Sequence, residues 1–173
     1  MTIVDDQGRR LGPNQVGEIV VRSAMSIGEY WGMPEKTAES FLPGDWFRPM
    51  DVGYLDEDGF LYYSDRAGDK ITTEKGVVFP HLVEGAVLRH PAVATCGVVG
   101  LGEVGTQEVV CAVLLKAGRT SSTELADEIL AGTADLPPTD RPTRVIFVDD
   151  MPTVLGGAKV QRQALRAQLS QTP

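Results

Sequence analysis

The chain has 173 residues, and its 24 acidic against 16 basic side chains give a formal net charge of −8. That balance excludes a broad contact with nucleic acid or an anionic membrane surface, since both need positive charge facing phosphates. The length suits one domain, or part of one joined to a second, and 42% hydrophobic residues support a core without disulfides or metal. No apolar run reaches the roughly 20 residues that span a bilayer, and Met1 to Gln7 show no secretory pattern. Cys96 and Cys111 sit in apolar runs rather than in a C-x-x-C, and the two histidines, His81 and His90, make no zinc set. Buried reduced thiols, no metal site and a cytoplasmic location are therefore expected.

Residues 2–4 read as a short strand ending in the turn Asp6-Gln7-Gly8, and residues 17–22 as a second, β-branched strand. Pro34, suited to a first helical turn, predicts a helix over residues 35–41. Residues 46–47 and 51–55 read as extended, with Asp56-Glu57-Asp58-Gly59 turning into a return strand over 60–63. After Ser64-Asp65-Arg66-Ala67-Gly68 the texture changes. Pro80 opens a helix with Leu82, Val83, Ala86 and Val87 at helical spacing, and residues 93–99, 109–115 and 144–148 read as strands. Helices are predicted over 121–130, where serine and threonine offer N-caps and Pro137-Pro138 follows, and over 159–169. Helices over a small sheet make an α+β unit of about a hundred residues. Residues 1–64 carry too few long apolar faces for a core of their own, and read as one edge of a larger β structure.

Five ordered segments carry a resemblance. Gly28-Glu29-Tyr30-Trp31-Gly32-Met33-Pro34-Glu35-Lys36-Thr37-Ala38-Glu39-Ser40-Phe41 is similar to G-Y-W-x-x-P-E-x-T-A-E-x-F. Asp45-Trp46-Phe47-Arg48-Pro49-Met50-Asp51-Val52-Gly53 and the turn after it resemble G-W-F-R-T-G-D-x-G-x-x-D-x-D-G. Asp65-Arg66-Ala67-Gly68-Asp69-Lys70-Ile71 resembles D-R-x-K-D-x-I, and Pro80 with Glu84 fits P-x-x-x-E. Met151-Pro152 through Gly157-Ala158-Lys159-Val160 resembles L-P-x-x-x-x-G-K-V. Together these resemble the AMP-forming adenylating superfamily, which holds acyl-CoA and aryl-CoA synthetases, luciferases and peptide-synthetase adenylation domains.

The resemblance implies a small C-terminal α+β domain of an adenylate-forming enzyme, preceded by an antiparallel β-barrel fragment of the N-terminal domain. The expected divisions are 1–64 for the barrel fragment, 65–69 for a hinge and 70–173 for the mobile domain. The implied reaction joins a carboxylic acid to ATP as acyl-adenylate, then passes the acyl group to a thiol. By resemblance Lys159 is the catalytic lysine, Asp51 and Arg66 bind the nucleotide, Gly68 is the hinge, and Lys75 with Gly76 belong to a loop lining the thiol channel. Read from the residues alone, the alternatives are a turn cap for Asp51, a salt bridge with Asp65 or Asp69 for Arg66, a helix-surface cation for Lys159 and a plain β-hairpin for 73–79. Four departures stand out: Pro49-Met50 in place of Thr-Gly, Gly68 in place of Asp or Lys, a glycine loop reduced to Gly76, and Ala158 before the lysine.

The implied cofactors are ATP or AMP, Mg2+ held mainly by the N-terminal domain, and CoA. The implied partners are a large N-terminal adenylation domain or subunit, a small carboxylic acid, and CoA or a carrier-protein phosphopantetheine; an exposed barrel edge adds a homodimer. Two other readings stay open: a truncated, non-catalytic interaction or regulatory module, and an enzyme that loads a carrier protein.

Overall fold

The computed structural model describes residues 1–154 and 159–170. The chain divides into two compact units, Met1–Gly68 and Asp69–Pro173, and its fold class is α+β.

In unit 1, β1 (Thr2–Val4), β2 (Gly17–Val20), β5 (Asp51–Leu55) and β6 (Leu61–Arg66) form an open antiparallel sheet in the order β1-β2-β5-β6. The helix α1 (Pro34–Glu39) precedes a two-stranded pair, β3 (Phe41–Leu42) with β4 (Trp46–Phe47). Pro34 sits in the first turn of α1, where its missing N–H costs nothing. Glycines let the outer strands close on the middle pair: Gly17 of β2 faces Gly53 of β5, a Cβ on Gly17 would overlap the Val4 carbonyl of β1, and one on Gly53 the Tyr62 carbonyl of β6. The apolar residues buried in unit 1 are Ile3, Val4, Ile19, Val20 and Val52. β1 and β6 are the outer strands of this order, and the outer side of β1 pairs with the segment after it, where Val4 bridges Arg10 and the Leu11 N–H donates to Ile3 O at 2.9 Å.

Unit 2 opens with a tight hairpin, β7 (Ile71–Thr73) and β8 (Gly76–Val78), followed by α2 (Pro80–Val87). Its central sheet runs β11-β10-β9, with β9 (Val93–Leu101) antiparallel and β11 (Arg144–Phe147) parallel to β10 (Glu108–Leu115). The parallel step needs a crossover, supplied by α3 (Thr123–Ala131), which Ser122 caps by accepting the Leu125 N–H. A second hairpin pairs β12 (Thr153–Val154) with β13 (Lys159–Val160), and α4 (Arg162–Leu169) follows.

Helices cover both faces of this sheet. One face packs Val93, Cys96, Val98, Cys111 and Val113 on Val83, Val87 and Ile129; the other packs Val99, Val110 and Ala112 on Met151, Leu165 and Leu169. Burial on both faces is why β9 and β10 are nearly continuous apolar runs rather than alternating ones. Gly97 lets α4 approach, since a Cβ there would crowd Leu165 and Val160.

The predicted helix over 159–169 is shorter than expected. Lys159 and Val160 are strand, and α4 begins at Arg162. Val160 packs into the same core as Leu165 and Leu169, so its apolar character extended the helical stripe backwards in the sequence.

Candidate active site

Asp51 opens β5 and Arg66 closes β6, and the two are direct cross-strand partners. A bulge sets this up: Val52 faces Asp65 and Gly53 faces Tyr63, so Ser64 is the extra residue on β6. It makes Ser64 and Asp65 consecutive buried residues and returns Arg66 to the exposed side beside Asp51. Arg66 Nε lies 3.1 Å from Asp51 Oδ1, and Arg66 Nη1 donates to the Pro49 carbonyl at 2.9 Å. Asp51 Oδ1 is buried and, among the described residues, has this ionic contact and no hydrogen-bond donor, so its lone pairs keep accepting capacity. Of the two sequence-level alternatives for Arg66, Asp69 is engaged elsewhere, with Arg162.

The turn before Asp51 is strained. Met50 has φ 62, the left-handed conformation that glycine takes freely and a side chain resists. The turn is held from both ends: Ala67 N–H donates to Met50 O at 2.8 Å, and Arg48 N–H donates to Ser40 O at 2.9 Å. Arg48 also grips Glu18 on β2 with two parallel bonds, Nε to Oε1 at 2.9 Å and Nη2 to Oε2 at 2.7 Å. That hydrogen bond to Glu18 raises the guanidinium pKa further. The brace from Glu18 was not anticipated, and only the arginine in the W-F-R segment hinted at it.

Gly68 is exposed, its φ is not left-handed, and a Cβ built on it would meet nothing within 4 Å. Glycine is thus not demanded by the conformation seen.

In unit 2, Lys159 is exposed on the β12–β13 hairpin, opposite Val154. It lines an open cleft of about 630 Å3 with Val154, Gln161, Arg162, Gln163 and Ala164. The Gly157-Ala158 part of the closing signature lies outside the described residues. The segment expected to line a thiol channel is a β-hairpin whose loop is Glu74-Lys75, with Gly76 at φ 137. Lys75 and Gly76 are both exposed, and Lys75 N–H donates to Thr73 Oγ1 at 3.1 Å. Gln107 anchors this hairpin, accepting the Thr72 N–H at 3.0 Å. A cleft of about 400 Å3 lies beside it, lined among others by Lys75, Pro138, Arg141 and Thr143.

The cysteines are diagonal neighbours on one face of the sheet, since Cys96 pairs with Val113 and Cys111 with Val98. Both are buried, and the Cys96 thiol followed by burial pushes the Cys111 pKa well up. His90 Nδ1 accepts the Ala92 N–H and its Nε2 lies 3.8 Å from Glu128. Among the described residues no group of three His, Cys, Asp or Glu could hold a metal ion, and no helix is long and apolar enough to cross a membrane.

Residues 82–156 match the family model of the AMP-binding enzyme C-terminal domain. The fatty acid–[acyl-carrier-protein] ligase ScoC of Streptomyces coeruleorubidus is 35% identical over 95% of this chain and 31% of its own length. The medium/long-chain-fatty-acid–CoA ligase FadD8 of Mycobacterium tuberculosis is 34% identical over 96% of this chain and 30% of its own. Among solved structures, ATP-bound MatB from Rhodopseudomonas palustris superposes with a TM-score of 0.84 at 29% identity, over 98% of this chain and 34% of that one. The chain thus spans about a third of the length of the proteins it matches.

Proposed function

Because the chain belongs to the AMP-forming adenylating enzymes, of which it carries the C-terminal domain, we propose that it is the C-terminal part of an ATP-dependent acyl-CoA synthetase. In the first step an oxygen of the acid's carboxylate bonds to the α-phosphorus of ATP and the bond to the leaving pyrophosphate breaks. In the second a thiol sulfur bonds to the acyl carbon, the thiol proton is lost, and AMP departs with the electron pair. Relatives named as CoA ligases and a solved relative bound to ATP support these substrates.

The observation that carries the reading is Asp51 set directly across from Arg66. One carboxylate can accept from both hydroxyls of a ribose, while the planar guanidinium fork beside it would meet phosphate oxygens. Lys159 has the complementary role. A compact ammonium on an exposed hairpin can sit between an attacking carboxylate and the α-phosphate, offsetting their repulsion at the moment of bonding. Rotation about Gly68 would alternate this lysine with the Thr73–Val78 hairpin, whose exposed Lys75 and Gly76 would then face the thiol's pantetheine arm.

Mg2+ would neutralise phosphate charge. On this reading its ligands, with most of the ATP and acid contacts, belong to the N-terminal body. The exposed edge strand β6, with Leu61, Tyr62 and Tyr63, supports a contact with that body, or with a second copy of the chain. A carrier-protein phosphopantetheine is the second reading for the acceptor, favoured by the name of the Streptomyces relative.

ATP–pyrophosphate exchange tests the proposal. The chain alone is expected to be inactive, adding an N-terminal body from a longer relative to restore exchange, and Lys159→Ala to remove what was restored. Restored exchange that survives Lys159→Ala overturns the lysine assignment. Tight binding without exchange would favour a non-catalytic module.

A further inference from the structure

We infer that Arg162 is a positioning residue which, with Glu84 and Asp69, fixes the Lys159 hairpin to the central sheet and to the first residue of unit 2. Arg162 is the first residue of α4, three positions after Lys159. Its Nη1 donates to Asp69 Oδ2 at 2.9 Å, and its Nη2 meets Glu84 Oε2 at 2.8 Å and Oε1 at 3.0 Å. Glu84 Oε1 also accepts the Val98 N–H at 2.9 Å, which binds the cluster to the edge strand β9. The three side chains are only 12%, 15% and 25% exposed for Arg162, Glu84 and Asp69. Solvent screening is therefore weak, and these bonds are worth more than surface ion pairs.

The geometry calls for arginine. One planar fork reaches carboxylates on two separate segments at once, whereas a lysine ammonium is a single point on a flexible stem. Few other contacts among the described residues hold the hairpin. Its strands are two residues each, and such a pair is marginal in water without packing or an anchor. Val160 supplies apolar packing below it, Gln161 N–H closes it by donating to Pro152 O at 2.8 Å, and Arg162 pins the next residue. Because the other end of the pin is Asp69, directly after Gly68, a turn about that glycine would carry the lysine's base with it rather than let it lag. The ammonium could then arrive at a fixed offset from the hinge, which is the condition for a near-attack placement.

The inference rests on the assignment of Lys159, which the exchange assay with Lys159→Ala tests separately; the following measurement needs no activity. Removing Arg162 alone would strand two carboxylates, so the variant is the triple Asp69→Asn, Glu84→Gln, Arg162→Met, which removes the charges together. Amide hydrogen exchange of the 173-residue chain is followed by NMR at Gln161, and at Val148, whose N–H donates to Val113 O at 3.0 Å. The expected result is exchange roughly ten-fold faster at Gln161 with Val148 within about two-fold of the parent, a local opening rather than a global one. Arg162→Lys should show the same selectivity to a smaller degree, and decides the matter if the triple variant does not fold. An unchanged Gln161 rate, or equal acceleration at both amides, overturns the inference.

Discussion

At Met50 the backbone and the side chain disagree. The turn that delivers Asp51 to the strand end needs a left-handed residue, and methionine occupies it at φ 62. The departure was legible in the sequence as Pro49-Met50; its consequence, a strained turn held by Arg48 and Ala67, was not, because a dihedral leaves no mark in composition. Met50→Gly should stabilise unit 1 by about 0.5–1 kcal/mol, the relief of left-handed strain less the extra entropy glycine loses on folding. Thermal unfolding of the two proteins side by side checks this; a lower midpoint for the glycine variant would show that methionine's packing outweighs its strain.

The elements that read clearly from the sequence were those with a long pattern. β9 and β10 declare themselves because both faces are buried, and α2 because Pro80 and the helical spacing of Val83, Ala86 and Val87 agree. The Lys159 hairpin did not, since two-residue strands have no period and Val160 belongs to the core that α4 fills. Asp51 and Arg66 were each legible by resemblance, yet their pairing depends on a bulge at Ser64 that no local rule announces. The Arg162 cluster was equally hidden, joining residues 93 and 78 positions apart.

Packing of the two thiols on the β9–β10 face has a measurable result. The Cys96 thiol, and then burial, hold the Cys111 proton on, raising its pKa well above the usual 9.0. In the unfolded chain that thiol ionises at its ordinary value, so the stability it contributes is complete below about pH 9 and is lost as pH rises beyond it. The unfolding midpoint of the parent should therefore fall more steeply between about pH 8 and pH 10 than that of Cys111→Ala. Identical slopes would mean that Cys111 is not held protonated in the fold.

Across the whole molecule the apolar core is unevenly shared. Both extended clusters belong to unit 2, while unit 1 buries five apolar residues around a four-stranded sheet. Unit 2 buries enough apolar surface to keep its own shape, so on the proposed reading it would turn about Gly68 as one body, offering Lys159 for adenylation and the Thr73–Val78 hairpin for thiol transfer. Composition gave the acidic balance and the division into two textures, but the site depends on contacts between segments far apart in the chain. The most direct test separates the two half-reactions in the reconstituted enzyme, by supplying acyl-adenylate made chemically. With Lys159→Ala, ATP–pyrophosphate exchange should be lost while transfer of the supplied acyl group to CoA continues near the parent rate. Loss of both activities together, or exchange retained, would contradict a lysine that serves the adenylation step alone.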